Sequence, residues 1–443
     1  MSKTQNKSIP KTEEMWICAA DLIKAFDNPF YDCFSKLLRE MDFGNKVRSI
    51  CDKHYTDGAG QPPIDPEVYF KMLFVSLFNN TSSEREIERR CHDPITLRNF
   101  LGYSLTEKVP DHSTISRTRR RYSVETFDAV FQLVLPVLSA LGLIKGAHVG
   151  MDTSTMDANA SMRNLQNRLS GEKYRKYVEK LAKAEGVDTS DPAEVSKFDR
   201  KRKKKVSNEE WVNPHDPDAK IGPTKRGNFR MIYKTEHVVD METGAVLDAR
   251  VRPGDMADNA NLTDRLIDSE MVAAEGLDDG EMDLPLKTLT ADKGCHDDVE
   301  IIKLHEYGIV ANIPQRTKVR NYDKLKDSQR DILEMSDAFV SSKEGKELLK
   351  KRGMYIERSF AHVLDSGGMR RTTLRGEENI QKRYIIAAMS FNLSLAMGVR
   401  FGYGTPKQYG AGNKTDSFLL FLLVGNKINA IIVFCSSYHT NPT

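Results

Sequence analysis

The sequence predicts an α/β protein, an all-helical segment followed by a mixed sheet covered by helices. Three observations predict it. Up to about residue 145, apolar residues recur at helical spacing between cap residues. From Ala147, short apolar runs rich in β-branched residues end in aspartate or glycine. From the fourth such run onward, the runs alternate with helical segments, the pattern of a sheet with helices on its faces. A chain of 443 residues, 39% hydrophobic, suits two or three domains. The boundaries fall at 1–145, 146–400 with a basic insertion at about 160–228, and a tail at 401–443.

In the first segment, "DPEVYFKMLFVSLFNN" (Asp65 to Asn80) is apolar all round, as a buried helix would be. "SSEREIERRC" sets Ser83 and Glu86 at capping-box spacing. "DPITLRNFLG" is a short helix ending in glycine, and "DHSTISRTRRRY" starts at Asp111 as N-cap and finishes in a basic turn. One long apolar helix, "SVETFDAVFQLVLPVLSALG", is expected to close the segment at Gly142. Short helices on short turns, one of them basic, match helix-turn-helix readers of DNA, and equally a packing domain with a solvated arginine face.

Strands are expected in "AHVGMD", in the pair "FRMIYKTEHVVD" and "AVLDARVRPGD" around "METG", in "LKTLTADKG" and in "IVANIP". That makes a mixed sheet of five strands. "DDVEIIKLHEYG", "MYIERSFAHVLDS" and "EENIQKRYIIAAMSFNLSLAMGV" are the covering helices. From the stretch between the first two strands into the start of the second, residues 196–234 hold twelve Lys/Arg against five Asp/Glu. This run reads as a solvated or disordered loop, or as an arm on a phosphate backbone.

Composition excludes several classes. The net charge of +3, from 66 basic against 63 acidic residues, neither demands nor forbids a nucleic-acid partner. Six cysteines without C-x-x-C spacing read as reduced cytoplasmic thiols. No G-x-x-x-x-G-K-[ST] and no H-E-x-x-H occurs, which argues against a P-loop enzyme and a zinc hydrolase. "FLLFLLVGNKINAIIVFC" (Phe418 to Cys435) is apolar, but Lys427 interrupts it, so a packed element is expected and no membrane partner.

Three acids stand out. Asp152 ends the first strand and Asp292 the fourth. Neighbouring strands would aim both into one crevice. Glu357 lies one position from the stripe Ile356, Phe360 and Val363, at the rim of a buried helix face. Singly, each has a plain reading as a strand-end or boundary acid. Assembled, three carboxylates without an obligatory histidine suit Mg²⁺ or Mn²⁺, and two ions at one phosphodiester support in-line phosphoryl transfer. His296 and His362 flank two of these motifs, as solvated side chains or phosphate contacts.

"GMDTSTMDANAS", "TADKGCHD" and "IERSFAH", in that order, resemble the acidic motifs of DDE insertion-sequence transposases with an RNase H-like core. The likeness is to the insertion sequence five superfamily, particularly its eleven-eighty-two branch. "YFKMLFVSLFNNTSSEREIERRCHDPITLRNFLGY" with "PDHSTISRTRRR" is similar to that group's N-terminal helical domain. The resemblance spans roughly residues 60 to 400. It implies a cytoplasmic enzyme that cuts the ends of its own element and joins the 3′ hydroxyls to target DNA, acting as a homodimer on double-stranded DNA. Asp152, Asp292 and Glu357 would be catalytic metal ligands. Arg117, Arg119, Arg120, Arg121, Lys203, Lys204, Lys205, Lys225, Arg226 and Arg358 would contact DNA. A DNA-binding relative without activity, or a nuclease that cuts without joining, would share these motifs. The sequence departs from related groups at Gly353 and Leu364, where an arginine and a lysine are expected, with Arg352 and Arg358 nearby.

Overall fold

The computed structural model describes residues 28–55, 64–81, 83–92, 94–202, 206–224, 227–277, 286–316 and 325–410. The helical half is set by its caps. α1 (Pro29–Glu40) and α2 (Phe43–Asp52) lead to α3 (Pro66–Phe78), whose N-cap Asp65 accepts from the Glu67 amide at 2.7 Å. At the start of α4 (Glu84–His92) the Glu86 amide donates to Ser83 Oγ at 3.3 Å. α5 (Ile95–Leu101) stops at Gly102, whose φ of +84° favours glycine. α6 (His112–Arg121) starts on Asp111, which accepts from the Thr114 amide at 2.7 Å.

One expectation fails here. The run 123–142 is two helices, α7 (Val124–Gln132) and α8 (Leu135–Ala140). Pro136 has no amide hydrogen for the Gln132 carbonyl, and its ring crowds that oxygen, so the helix breaks and restarts.

β1 (His148–Asp157) begins the sheet. The insertion follows, with β2 (Gln166–Asn167), α9 (Tyr174–Ala184), α10 (Pro192–Lys201), β3 (Trp211–Val212) and β4 (Lys220–Pro223). Then come β5 (Phe229–Asp240), β6 (Val246–Pro253), α11 (Leu262–Leu277), β7 (Thr288–Ala291), α12 (Asp298–Glu306) and β8 (Val310–Asn312). α13 (Asp327–Ser341) and α14 (Lys343–Phe360) precede a π-helical turn, Ala361–Ser366. α15 (Glu377–Phe401) and α16 (Pro406–Gly410) complete the described chain.

The main sheet runs β6–β5–β1–β7–β8. β5 is antiparallel to β1 and β6, and β7 and β8 are parallel to β1. A sixth strand, β4, pairs with the first residues of β5 beyond the end of β6, so the expected five-stranded sheet is one strand short. The extra strand comes from the insertion, whose composition suggested a loop. That segment is folded where it is described. Tyr174 and Tyr177 each lie 5.2 Å from the Trp211 ring. Asn213 and Asp216 are fully buried, with Tyr233 Oη donating to Asp216 at 2.7 Å and Asn213 to the Ser161 carbonyl at 2.9 Å. Buried polar groups with good partners make a fixed structure, which charge counting does not see.

α14 crosses one face of the sheet and α11 packs on the other. α15 lies along β6 and against α3 and α7, so one apolar core runs from the N-terminal helices into the sheet. β6 is an edge strand, and its free backbone is covered by amides from α15. Asn392 exchanges hydrogen bonds with Val246 at 2.9 and 2.7 Å, while Gln381 accepts from Val251 and donates to the Ala249 carbonyl at 3.0 Å. The stretch Glu377–Tyr409 is long and apolar enough to cross a membrane, but 78% of its most apolar window is buried in the protein, which accounts for its composition. The apolar segment 418–435 lies outside the described residues.

His237 of β5 ties these layers together. It is fully buried, stacked 4.3 Å from the Phe360 ring, with Nδ1 2.7 Å from Ser359 Oγ and Nε2 2.7 Å from Tyr384 Oη. Burial holds its pKa down at about 3, against 6.5 for a free histidine. Between those values the unfolded chain binds a proton that the folded chain refuses, so stability falls as pH drops through about 6.5 towards about 3. Urea unfolding of wild type between pH 7 and 4 should therefore lose up to about 1.4 kcal/mol per pH unit more than His237→Asn does. Parallel slopes for the two proteins would contradict this.

Candidate active site

β1 and β7 pair in parallel, with Met151 opposite Ala291. Their next residues are Asp152 and Asp292, so register sets the two acids side by side where β7 ends; Asp152 stands midway along β1, which runs on to Asp157 and does not stop at the acid as expected. Such a crevice outside the strand ends is where α/β proteins place ligands. Asp292 also opens the following 3₁₀ turn, Lys293–Cys295, accepting from the Lys293 amide at 2.7 Å.

Asp152 is held from above by α14. Gly150 lies two residues earlier on the same face of β1, and a Cβ there would meet Ile356 Cδ1 at 2.9 Å and collide with Met241 Sδ. The missing side chain lets Ile356 seat on the strand. Arg352, one helical turn back, then reaches Asp152, Nη1 to Oδ2 at 2.7 Å. Asp152 Oδ1 accepts from the Thr153 amide at 2.8 Å. Burial pushes the Asp152 carboxyl up, Arg352 pulls it back, and the neighbouring Asp292 adds to the rise.

A further acid lies nearby, on the opposite face of β1. Asp258, beyond β6, accepts from Thr153 Oγ1 at 2.8 Å and Lys234 Nζ at 2.6 Å. Burial opposes its ionisation, but Lys234 and Thr153 outweigh it and the pKa is lowered. Cys295 reports the convergence: burial, then Asp152, Asp258 and Asp292, push its thiol up to about 12. Sequence reasoning missed Asp258, which sits in the loop "RPGDMADNANL" with one other aspartate, Asp255, and nothing to single it out. It also gave Arg352 no role.

The stripe Ile356, Phe360 and Val363 is buried as its spacing predicts. The Glu357 side chain is exposed and makes no hydrogen bond or ion pair among the described residues. At 3.6 residues per turn it stands about 140° round the helix from Arg352, on the flank of α14. The structure thus brings Asp152 and Asp292 together and leaves the Glu357 side chain in solvent. Among the described residues, no three acidic, histidine or cysteine side chains stand at metal-ligand distance.

The two histidines are less solvated than expected. His296 retains 11% side-chain exposure, 3.9 Å from Asp298, and His362 packs 5.3 Å from the Phe391 ring. Of the expected DNA-contacting cations, Arg117, Arg120 and Arg121 are exposed along α6. Arg119 is not available. It is largely enclosed, with 12% side-chain exposure, in an ion pair with Glu84 and donates to Asn379 Oδ1 at 3.1 Å, joining α6 to α4 and α15. Its spacing from Ile115 and Thr118, both buried, puts it on the inner face, which a count of consecutive arginines conceals. Arg358 is half-buried, and burial lowers its pKa. Lys203, Lys204, Lys205, Lys225 and Arg226 lie outside the described residues.

Two family models match parts of the chain. A family described as a transposase domain matches residues 23–121, which hold α1 to α6. A second, described as a transposase DDE domain, matches residues 189–393, taking in Asp292 and Glu357. Asp152 lies between the two matches. No curated protein matches the chain. One solved structure, "Mos1 transposase paired-end complex with left transposon end", is similar at 11% identity, covering 71% of this chain and 82% of its own, with a TM-score of 0.18, too slight a likeness to argue from.

Because α14 is seated through Gly150, Gly150→Val should cost about 1–3 kcal/mol, the usual penalty of overpacking. Thermal unfolding checks this, and an unchanged melting temperature would mean that α14 does not rest on β1.

Proposed function

We propose that this chain, a DDE transposase, cleaves DNA at the ends of its own mobile element and joins the freed 3′ hydroxyls to target DNA. The observation that carries the reading is the register that seats Asp152 beside Asp292 at the crevice. The strand order β6–β5–β1–β7–β8, with only β5 reversed among the middle strands, supports an RNase H-like core.

In cleavage, a water oxygen attacks phosphorus and the bond to the 3′ oxygen breaks, leaving a 3′ hydroxyl. In joining, that hydroxyl attacks a target phosphodiester and displaces the target's own 3′ oxygen. Neither step needs a nucleotide. Asp152 and Asp292 are hard oxygen donors that fit a divalent cation, and a cationic guanidinium already sits on Asp152. When bound, such ions neutralise the charge that develops on the attacking and leaving oxygens. Glu357 would complete the set by turning in from the flank of α14. Lys234, fixed on Asp258 and the Met256 carbonyl, holds the β5 side of the crevice. Arg117, Arg120 and Arg121 would meet the phosphate backbone of the element end.

Asp152→Asn and Asp292→Asn should each abolish nicking of a labelled element end in Mg²⁺ while end binding stays within about twofold of wild type. Glu357→Gln should lose nicking as well, and Glu378→Gln should retain it. Robust nicking by Asp152→Asn or Asp292→Asn would sink the assignment. Strand-transfer products from wild type separate a transposase from a nuclease.

The arginines of α6 should divide by burial. Arg119→Met should destabilise the fold by on the order of 3 kcal/mol, as loss of one partner of a buried ion pair does. Replacing Arg117, Arg120 and Arg121 together should leave the melting temperature within a few degrees and flatten the salt dependence of DNA binding by up to about 2.7 in slope. The reverse pattern would show that the exposed arginines serve only the fold.

A further inference from the structure

Arg352 is placed with more care than a surface cation needs. Its guanidinium meets Asp152 at 2.7 Å, with side-chain exposures of 16% and 24%. A carboxylate so enclosed, with Asp292 beside it, is costly to keep charged without a partner. No other basic side chain bonds to Asp152 among the described residues. The guanidinium in turn is incompletely satisfied, since Arg352 Nε is buried without a hydrogen-bond partner. It is held at the acid by the seat of Ile356 on Gly150 and by one charge-assisted contact.

The position along α14 matters as much as the contact. Residues 352 and 356 share the sheet-facing stripe, whereas Gly353 stands about 100° further round. An arginine at 353 would leave the stripe and Asp152 would lack its cation. The one-residue departure noted in the sequence therefore has a physical consequence.

We propose that Arg352 is the resident counter-cation of Asp152, displaced when a divalent ion arrives. The inference rests on the reading of Asp152 and Asp292 as metal ligands. The guanidinium on Oδ2 and an ion at the same carboxylate are two cations a few ångström apart, and they repel each other. Arg352 therefore competes with the metal. It keeps the metal-free protein folded and weakens its hold on the ion until the site is engaged. Arg352 is a positioning residue in this account, since it acts through Asp152.

The test uses the full chain without DNA, so that activity plays no part. Mn²⁺ is titrated by calorimetry into wild type, Arg352→Gln, Arg352→Lys and Asp292→Asn, and each is melted with EDTA and with saturating Mn²⁺. Arg352→Gln should bind Mn²⁺ at least tenfold tighter than wild type. It should melt lower than wild type in EDTA and regain the difference in Mn²⁺. Arg352→Lys, which keeps a cation at the acid, should bind close to wild type. Binding by Arg352→Gln no tighter than by wild type would overturn the assignment. So would an Arg352→Gln that stays unfolded in saturating Mn²⁺, because the ion should take over the guanidinium's role. If neither wild type nor Arg352→Gln binds Mn²⁺, or Asp292→Asn binds it as wild type does, the metal reading of the site has failed instead.

Discussion

A helix can lie close against a strand only where the strand offers no side chain, and that constraint at Gly150 governs the site. Ile356 and Met241 occupy the space a Cβ would take. With Ile356 seated, the phase of α14 is decided. Arg352 falls on Asp152, Ser359 and Phe360 fall on His237, and Tyr355 reaches the Glu242 carbonyl at 3.1 Å. His237 and Asp152 are opposite one another in the β1–β5 register, so the same face of two neighbouring strands carries the acid and the buried imidazole. Shifting the helix by one residue would lose both contacts together.

The other half of the architecture hangs on α15. Its residues from Ile380 to Gly398 are buried, including Gln381, Lys382, Arg383 and Asn392. These polar side chains each have a task. Gln381 and Asn392 close the edge of β6. Arg383 bonds to Ser76 and to the Thr81 carbonyl at the end of α3, and Lys382 pairs with Glu378 at 2.6 Å. A helix so enclosed must satisfy every polar group internally, and doing so couples the N-terminal helices to the sheet. A lone apolar helix would pack in several registers, whereas these hydrogen bonds accept one.

What was legible in the sequence follows the range of the interactions involved. Caps at Ser83 and Asp111 are local, as is the strand–turn–strand pattern around Met241 to Gly244, and the structure has them where the residues suggest. Pro136 was equally local and was outweighed by apolar periodicity that looked continuous through it. Charge density misled over residues 206–224, where Trp211, Asn213 and Asp216 anchor the chain through partners far along it. Arg119 and Asp258 failed for the same reason. The role of each is set by a neighbour at a distance, Glu84 and Thr153 respectively, and nothing in the adjacent residues announces it.

The three acids differ in how firmly the backbone places them, and this explains why only two meet. Asp152, midway along β1, and Asp292, just past the end of β7, belong to strands whose hydrogen bonds fix their relative height to within one register step, and a slip would turn Asp152 away from the crevice. Glu357 depends on helix phase alone, and the phase is already committed to Ile356 and Arg352. The π-helical turn Ala361–Ser366 begins four residues later, and such turns store a local change of phase. Beyond it the chain returns to β1, where the Asp157 amide donates to the Arg370 carbonyl and the Thr372 amide to the Asp157 carbonyl, each at 3.0 Å. Glu357 therefore sits on a helix pinned at both ends, with its own side chain free. A change of rotamer across the flank of α14 would carry its carboxylate towards Asp152 without unseating Ile356. That path would become favourable only with a divalent ion in place of Arg352, because without a cation between them the two carboxylates repel each other.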